Sequence, residues 1–148
     1  MNKVKNMVPW WRTSFGEDAI AEVTRAIREE CISQGPVTLE FETKLAEALD
    51  VPYVIATTSG SMSLLMALMA LGIGPGDEVI IPNRTWIATA HAPKMLGATV
   101  VTVDVLSDVP IMDVSQIREK ITPRTKAVIP VPLNGRAVNM DEVWMIAR

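Results

Sequence analysis

The sequence contains a single cysteine, Cys31, and a single histidine, His91, among 148 residues. One cysteine excludes a disulfide within the chain, and no cluster of cysteine and histidine accompanies it at the spacing of a metal site. His91 falls inside a predicted helix without a partner at metal or catalytic-triad spacing, so we assign it no role. We therefore expect a protein that holds no metal ion.

Long apolar runs are missing too. The longest nearly apolar stretch, Met62 to Gly74, is well short of the roughly 20 residues that a membrane-spanning helix needs. Near the N-terminus, Lys3 and Lys5 are not followed by the apolar stretch of a secretory signal. We expect a cytoplasmic protein with no membrane partner. The adjacent Trp10 and Trp11 could mark a surface for a protein partner.

An excess of positive charge is also absent. The chain has 14 Lys and Arg residues against 17 Asp and Glu residues, which gives a net charge of −3. A nucleic-acid binder needs a clustered basic surface that neutralises phosphates, so we expect no nucleic-acid partner. The 49% hydrophobic and 21% charged residues are typical of a soluble globular domain.

Four short runs rich in valine and isoleucine alternate with helical patterns. Such runs suit strands buried on both faces, and repeated strand–helix–strand units predict an α/β fold with a mostly parallel sheet and flanking helices. The predicted strands are Tyr53–Thr58, Glu78–Ile81, Thr99–Val103 and Lys126–Val131, and the helices between the first three are Ser61–Leu71 and Thr85–Leu96.

Two amphipathic helices are predicted before this region. Ser14 and Glu17 match a capping box at the start of the first helix, and the second opens near Thr38. We expect each helix to bury one apolar face. The apolar positions are Ile20, Val23, Ile27 and Cys31 in the first helix and Phe41, Leu45 and Leu49 in the second.

A last helix is predicted near the end of the sequence. Asn139 and Glu142 match its cap and third residue, and its apolar face would consist of Val143, Ile146 and Ala147. In a strand–helix–strand architecture, a chain that stops after this helix lacks the next strand. We therefore expect the front part of a larger protein.

The segment Thr57–Ser61 lies where a predicted strand ends and a helix begins. Unpaired N–H groups and the positive end of the helix dipole can bind a phosphate there, and Gly60 allows a close approach to the backbone. The alternative is that Ser59 or Ser61 serves only as a helix N-cap.

A second polar segment, Asn83–Trp86, follows the next predicted strand. Ligands of open α/β sheets bind at the carboxyl ends of the strands, so this segment and Thr57–Ser61 could face one site. Trp86 could stack on a flat ligand there, or it could be a core or interface tryptophan. Asp104 and Asp108 could form an acid–base pair, although turn and capping roles suit their positions better.

A series of short motifs follows in a fixed order from Gly35 to Arg148. They are Gly35-Pro36 with Phe41-Glu42, Ser59-Gly60-Ser61, Ala67-Leu68, Leu71–Ile80 with Pro82, Thr85–Thr89, Gly97-Ala98, Val103-Asp104, Ile121–Ala127, and Asn134-Gly135 with Met140-Asp141. In this order they resemble the nucleotide-sugar aminotransferases of the DegT/StrS type. A string of this many ordered motifs is far more specific than any one of them.

The resemblance implies the N-terminal part of a fold-type I, pyridoxal-phosphate-dependent transferase with an incomplete sheet. Residues 1–50 would form a helical segment and residues 51–148 the first part of the large domain. In that family the turn before the helix binds the cofactor phosphate, here at Gly60, Ser61 and Met62. The expected donors are the main-chain N–H groups of the latter two and the Ser61 hydroxyl. An aromatic residue, here Trp86, stacks on the pyridine ring.

The resemblance also implies functional residues that this sequence does not contain. The family's aspartate for the pyridine nitrogen and its Schiff-base lysine belong to later motifs, and none of the six lysines here matches. We therefore predict no catalytic residue and no activity of this chain alone. A full-length relative would move an amino group from a donor such as glutamate to a nucleotide-linked keto-sugar, in cell-surface polysaccharide or antibiotic sugar biosynthesis.

We also expect a homo-oligomer, because family members place their active sites at a dimer interface. Two alternatives belong to other functional classes. The chain could be a non-catalytic module that binds a phosphate-bearing ligand, or a structural subunit that completes its sheet with another chain.

Overall fold

The computed structural model describes residues 12–148. The chain divides into two compact units, Met1–Ala56 and Thr57–Arg148. Trp10 and Trp11, for which a partner surface was considered, lie outside the described residues, as do Lys3 and Lys5. The domain limits 1–50 and 51–148 stay a prediction.

The first unit contains two helices, α1 (Glu17–Arg28) and α2 (Pro36–Leu49). The N-cap of α1 is Gly16, which makes no side-chain cap, so the capping box predicted at Ser14 is wrong. Acidic residues in the first turn of α1 and basic residues in its last turn stabilise the helix instead, because their charges interact favourably with the helix dipole. α2 begins at Pro36, before the predicted start, because the fixed φ of proline suits the first helical position.

The apolar faces of α1 and α2 are exposed, contrary to the prediction. Among the described residues of these two helices none is buried, and Ile20, Val23 and Phe41 are all more exposed than covered. Helical periodicity identifies the side of a helix that avoids water, whereas burial depends on an element that covers that side. The spacing therefore predicted the helices correctly and their burial wrongly.

Three parallel strands form the centre of the second unit. β1 (Glu78–Pro82) pairs with both β2 (Thr99–Val103) and β3 (Thr125–Val128), so the strand order is β2-β1-β3. The predicted α/β class with a parallel sheet is confirmed. The helices of this unit are α3 (Gly60–Ala70), α4 (Ala88–Met95), α5 (Ile117–Lys120) and α6 (Met140–Ala147), with 3₁₀ turns at Val114–Gln116 and Leu133–Gly135.

The strand predicted at Tyr53–Thr58 is not formed. This segment pairs with none of the described strands, and Tyr53 and Ile55 are 86% and 69% exposed. Residues with high β propensity form a strand only when a neighbouring strand accepts and donates their main-chain hydrogen bonds. The last predicted strand, Lys126–Val131, is shorter than expected and ends at Val128, two residues before Pro130. Proline has no N–H for a sheet ladder.

Two apolar clusters cover opposite faces of β1, because successive side chains of a strand alternate between its faces. On one face, Val79 and Ile81 pack with Leu68 of α3 and Ala92 of α4. This cluster holds α3 and α4 side by side, so that it positions the loops before both helices. The cluster on the other face comprises Ile80, Val103, Met112, Val114, Ile117, Val138 and Val143.

The last helix, α6, agrees with its prediction. Asn139 is the N-cap, and its Oδ1 accepts the Glu142 N–H at 3.4 Å. Val143 is buried and Ile146 is half-buried, whereas Ala147 is exposed. The buried face of α6 therefore includes Val143 and Ile146 but not the predicted Ala147.

A buried acidic side chain, Glu78, lies at the amino end of β1 and is only 4% exposed. Thr122 Oγ1 donates to Glu78 Oε2 at 2.6 Å, and the Arg124 guanidinium donates to Oε1 through Nη2 at 2.6 Å and Nε at 2.9 Å. These hydrogen bonds, first from Thr122 and then from Arg124, lower the pKa of Glu78. They fasten the segment before β3 to the sheet.

Candidate functional site

Ser59 and Ser61 have different roles at the start of α3. Ser59 is the N-cap, and its Oγ accepts the Met62 N–H at 3.3 Å. The capping role considered for Ser59 is confirmed. Ser61 lies inside the first helical turn, so the same role considered for Ser61 is wrong.

The first turn of α3 leaves hydrogen-bond donors open. Among residues 12–148, no protein acceptor faces the N–H groups of Gly60 and Ser61 or the Ser61 hydroxyl. A Cβ built on Gly60 would meet no atom within 4 Å, so the space beside this turn is also open. An anion can therefore reach two main-chain donors and one hydroxyl at the positive end of a helix dipole. The third expected donor, the Met62 N–H, already donates to Ser59 Oγ, so an anion would have to share it with that hydroxyl.

The turn before α3 is held by Thr57, which belongs to the segment that the sequence singled out, and by Ser63, which does not. The hydroxyls of Thr57 and Ser63 lie 2.6 Å apart, and Thr57 Oγ1 also donates to the Ser59 carbonyl at 3.0 Å. Both hydroxyls thus brace the backbone around the N-cap. The six-residue separation of Thr57 and Ser63 is not a spacing that a helix or strand pattern brings to notice, which is why the sequence did not indicate the pair.

Trp86 lies in the loop between β1 and α4 and is 77% exposed. A core role for this tryptophan is therefore excluded. Its carbonyl accepts the Thr89 N–H at 3.0 Å, and the hydroxyls of Thr85 and Thr89 lie 2.9 Å apart across the first turn of α4. These contacts tie the chain on both sides of Trp86 to α4 and leave its indole available to a ligand.

Three of the four predicted site residues line one cavity between α3 and α4. This cavity has a volume of about 160 Å³, and Ser61, Met62 and Trp86 are all in its wall. Gly60, the fourth, directly precedes Ser61 at the helix start. The structure thus brings together two segments that are 25 residues apart in the sequence, from Ser61 to Trp86.

His91 also lines this cavity from α4, although the sequence indicated no role for it. Its separation of five residues from Trp86 was the only available signal, and that spacing alone does not identify a site. The remaining wall is apolar and consists of Leu65, Ile87, Ala88, Ala92 and Met95. A larger concavity, of about 530 Å³, lies along α2 in the first unit and includes none of the predicted site residues.

Asp104 and Asp108 make separate contacts. Asp104 Oδ1 accepts a hydrogen bond from Asn83 Nδ2 at 2.8 Å, whereas Asp108 Oδ1 accepts one from the adjacent Ser107 at 3.4 Å. The two carboxylates have different partners, and the turn and capping roles that the sequence favoured stay a prediction.

The described residues contain neither a metal-binding cluster nor a membrane-spanning helix. In residues 12–148, no group of three or more histidine, cysteine, aspartate or glutamate side chains is arranged to hold a metal ion. None of the helices described there has both the length and the apolar character that a bilayer crossing requires.

Comparison with known protein families identifies the class of this chain. The model of the DegT/DnrJ/EryC1/StrS aminotransferase family matches residues 13–148. Because the match covers almost the whole sequence, the chain belongs to this family, as the ordered motifs predicted.

Solved structures of this family share the fold of the chain. The sugar aminotransferase Spr1654 of Streptococcus pneumoniae, in its PLP form, is 34% identical with a TM-score of 0.89 over 94% of this chain. An aminotransferase from Psychrobacter cryohalolentis is 34% identical with a TM-score of 0.87 over 96% of the chain. NtdA of Bacillus subtilis, with bound cofactor PMP, is 34% identical with a TM-score of 0.81 over 89% of the chain.

The chain spans only about a third of the length of these relatives. It covers 36% of Spr1654, 36% of the Psychrobacter enzyme and 31% of NtdA. The three-stranded sheet and its helices therefore correspond to the N-terminal part of the pyridoxal-phosphate aminotransferase fold. The cofactor predicted from the motifs is the one named for two of these structures.

Proposed function

We propose that this chain supplies the phosphate-binding and ring-stacking part of a pyridoxal-phosphate-dependent sugar aminotransferase. The observation that carries the proposal is the single cavity whose wall includes Ser61, Met62 and Trp86. Membership of the family and the PLP and PMP forms of its relatives support the choice of cofactor. When bound, pyridoxal phosphate supplies the electron sink that amino-group transfer needs.

The start of α3 binds the phosphate in this proposal. Gly60 and Ser61 offer main-chain N–H groups, and Ser61 adds its hydroxyl. A hydrogen bond to a charged group contributes about 1.5–3 kcal/mol, and the helix end adds about 0.3–1 kcal/mol. These interactions together exceed any single apolar contact in the cavity, so we expect the phosphate to dominate the affinity.

Trp86 orients the flat ring in this proposal. Its indole is exposed on the cavity, and the first turn of α4 fixes its backbone. Aromatic stacking contributes about 0.5–1.5 kcal/mol beyond the area that it buries. That contribution is smaller than the phosphate's, but it restricts the tilt of the ring. The phosphate therefore determines where the cofactor binds, and Trp86 determines how its ring lies.

The substrates follow from the family rather than from this cavity. We infer a nucleotide-linked keto-sugar as amino acceptor and a donor such as glutamate, and the sugar aminotransferase among the relatives supports a sugar substrate. We further infer that the 148-residue chain alone does not turn over, because none of its six lysines matches the family's proton-transferring lysine. The cytoplasmic location stays a prediction from the sequence.

We also infer that the chain forms a homo-oligomer. Large apolar side chains are exposed on several helices, among them Val23 on α1, Met69 on α3 and Trp144 on α6. Exposed apolar surface of this kind favours association with another protein surface. Sedimentation of the purified chain tests the inference, and a monomer at all concentrations would contradict it.

The cofactor proposal is tested by titration calorimetry with pyridoxamine phosphate. This form of the cofactor carries an amine instead of an aldehyde, so it cannot react with surface lysines. We expect saturable binding, and binding of pyridoxamine at least about 10-fold weaker, because the hydrogen bonds to the phosphate are then lost. Equal binding of both compounds, or no saturable binding of pyridoxamine phosphate, would refute the proposed phosphate site.

Two controls accompany this titration. Ser107→Ala removes an exposed hydroxyl that is not part of the cavity wall, so its affinity for pyridoxamine phosphate should equal that of the wild type. A transamination assay with glutamate and a nucleotide-linked keto-sugar should show no turnover by the chain alone. Measurable turnover would contradict the inferred inactivity while leaving the phosphate site intact.

A further inference from the structure

Asn83, the first residue after β1, is tied to the end of β2 by two hydrogen bonds. Its main-chain N–H donates to the Val103 carbonyl at 2.8 Å, and its side-chain Nδ2 donates to Asp104 Oδ1, also at 2.8 Å. The side-chain bond, here called the Asn83–Asp104 bridge, joins two residues that are 21 positions apart. It therefore links the loop before α4 to a neighbouring strand.

The acceptor of this bridge is itself held in place. Asp104 Oδ1 also accepts the Val105 N–H at 2.9 Å, and the Asp104 N–H donates to Gln116 Oε1 at 3.1 Å. Gln116 Nε2 in turn donates to Asp113 Oδ2 at 2.9 Å. Since both the backbone and the carboxylate of Asp104 have partners, the bridge connects the loop to a braced part of the fold.

The bridge stands three residues before Trp86. Thr85, directly before Trp86, is joined to Thr89 of α4, and the Trp86 carbonyl accepts the Thr89 N–H, as described above. Farther towards the N-terminus, the Asn83–Asp104 bridge joins the same loop to the residue that follows β2. The loop that carries the exposed indole is therefore held at two points, by α4 and by the residue after β2.

We propose that Asn83 and Asp104 are positioning residues that hold the loop so that Trp86 presents its ring to the cofactor. This inference rests on the proposed function, because it assigns the ring-stacking role to Trp86. Both side chains of the bridge are exposed, and an exposed hydrogen bond contributes little to the stability of a fold. Its effect is on the orientation of Trp86, while the phosphate site at the start of α3 does not depend on it.

Because the bridge affects the ring-stacking residue and not the phosphate site, two ligands can test the two effects separately. Pyridoxamine phosphate engages both Trp86 and α3, whereas inorganic phosphate engages α3 alone. In Asn83→Ala and in Asp104→Ala we expect the affinity for pyridoxamine phosphate to fall about threefold to tenfold, the range of one aromatic stacking contact. The affinity for inorganic phosphate should stay within about twofold of wild type. The double variant should bind no more weakly than either single variant, because both remove the same interaction.

Three matched variants separate positioning from other effects. Asp108→Ala also removes one negative charge from the segment that follows β2, but it leaves the Asn83–Asp104 bridge intact, so this variant should bind like the wild type. Asp104→Asn keeps an oxygen acceptor for Asn83 and should restore most of the affinity for pyridoxamine phosphate. Asn83→Ser keeps a donor and serves where an alanine variant does not fold.

The possible outcomes distinguish this inference from the proposed function. If the wild type binds pyridoxamine phosphate and the bridge variants bind it equally well, the positioning role is refuted and the cofactor site stands. Equal losses for both probes would also refute it, because a merely structural role lowers both affinities together. If the wild type itself does not bind pyridoxamine phosphate, the proposed function fails and the positioning role fails with it.

Discussion

Replacing Ser61 by alanine removes one hydroxyl from the cavity without removing any hydrogen bond that holds α3. In the described part of the chain, the Ser61 hydroxyl has no protein partner, and its main-chain N–H remains in the variant. The fold should therefore keep its stability, or gain a few tenths of a kcal/mol from the higher helix propensity of alanine. The loss should appear only when a phosphate is bound.

The size of that loss follows from the hydrogen bond that disappears. A hydrogen bond to a charged group contributes about 1.5–3 kcal/mol, which corresponds to about a 10- to 150-fold weaker binding of pyridoxamine phosphate. Binding of pyridoxamine should not change, because that compound carries no phosphate. Titration calorimetry of wild type and Ser61→Ala with both compounds measures this difference directly.

Ser59→Ala is the matched control, two positions earlier on the same turn. Ser59 caps α3 through a long hydrogen bond of 3.3 Å, so its loss should lower the free energy of unfolding by about 0.5–1 kcal/mol, the low end for an N-cap. The same change frees the Met62 N–H, so the affinity for pyridoxamine phosphate should be kept or raised. Equal effects of the two substitutions on binding, or a Ser61→Ala variant that binds like the wild type, would refute the assignment of Ser61 to the phosphate.

Three further substitutions probe other parts of the fold. Trp86→Ala should weaken binding of pyridoxamine phosphate and pyridoxamine by similar factors, about threefold to tenfold, with an unchanged melting temperature because the side chain is 77% exposed; a change confined to the phosphorylated compound would contradict the stacking role. Hydrogen bonds from Thr122 and Arg124 lower the pKa of Glu78, so its contribution to stability is present above the ordinary glutamate pKa of about 4.3 and is lost as the pH falls through the lowered pKa. Urea unfolding at several pH values should therefore show a weaker acid dependence for Glu78→Gln, and an unaltered pH profile would disprove this account. Ile80→Ala in the fully buried core of β1 should cost about 2–5 kcal/mol of unfolding free energy, whereas a loss below about 1 kcal/mol would show that the core is loosely packed.

Much of the second unit was predictable because its elements are determined by neighbours in the sequence. Glu78–Ile81 is a short run rich in valine and isoleucine and becomes the central strand, and Asn139 caps the last helix as its spacing to Glu142 predicted. The predictions that failed concern which residues pair with or cap one another, and not the conformational propensity of single segments. Tyr53–Thr58 has the composition of a strand, but it pairs with none of the described strands. Serine is a typical N-cap residue, yet α1 begins after Gly16 and not after Ser14.

The candidate site shows the same division. The motifs around Gly60 and Trp86 could be identified from the sequence, because the chemistry of a phosphate turn and of a stacking aromatic lies within a few consecutive residues. The braces of these motifs could not be identified. Thr57 reaches Ser63, and Asn83 reaches Asp104 across 21 positions. Such contacts depend on how strands and helices pack, which no local pattern records.

Sequence patterns alone predict the family, the parallel α/β class and the residue types that can bind a phosphate and a flat ring. These properties depend on local propensity, on periodicity and on the order of motifs along the chain. Three features follow from packing in three dimensions: Ser61 and Trp86 line one cavity, the Met62 N–H donates to Ser59 Oγ, and the apolar faces of α1 and α2 are exposed. The physical reason is that distance in space, burial and the competition for a hydrogen-bond donor are set by packing between elements.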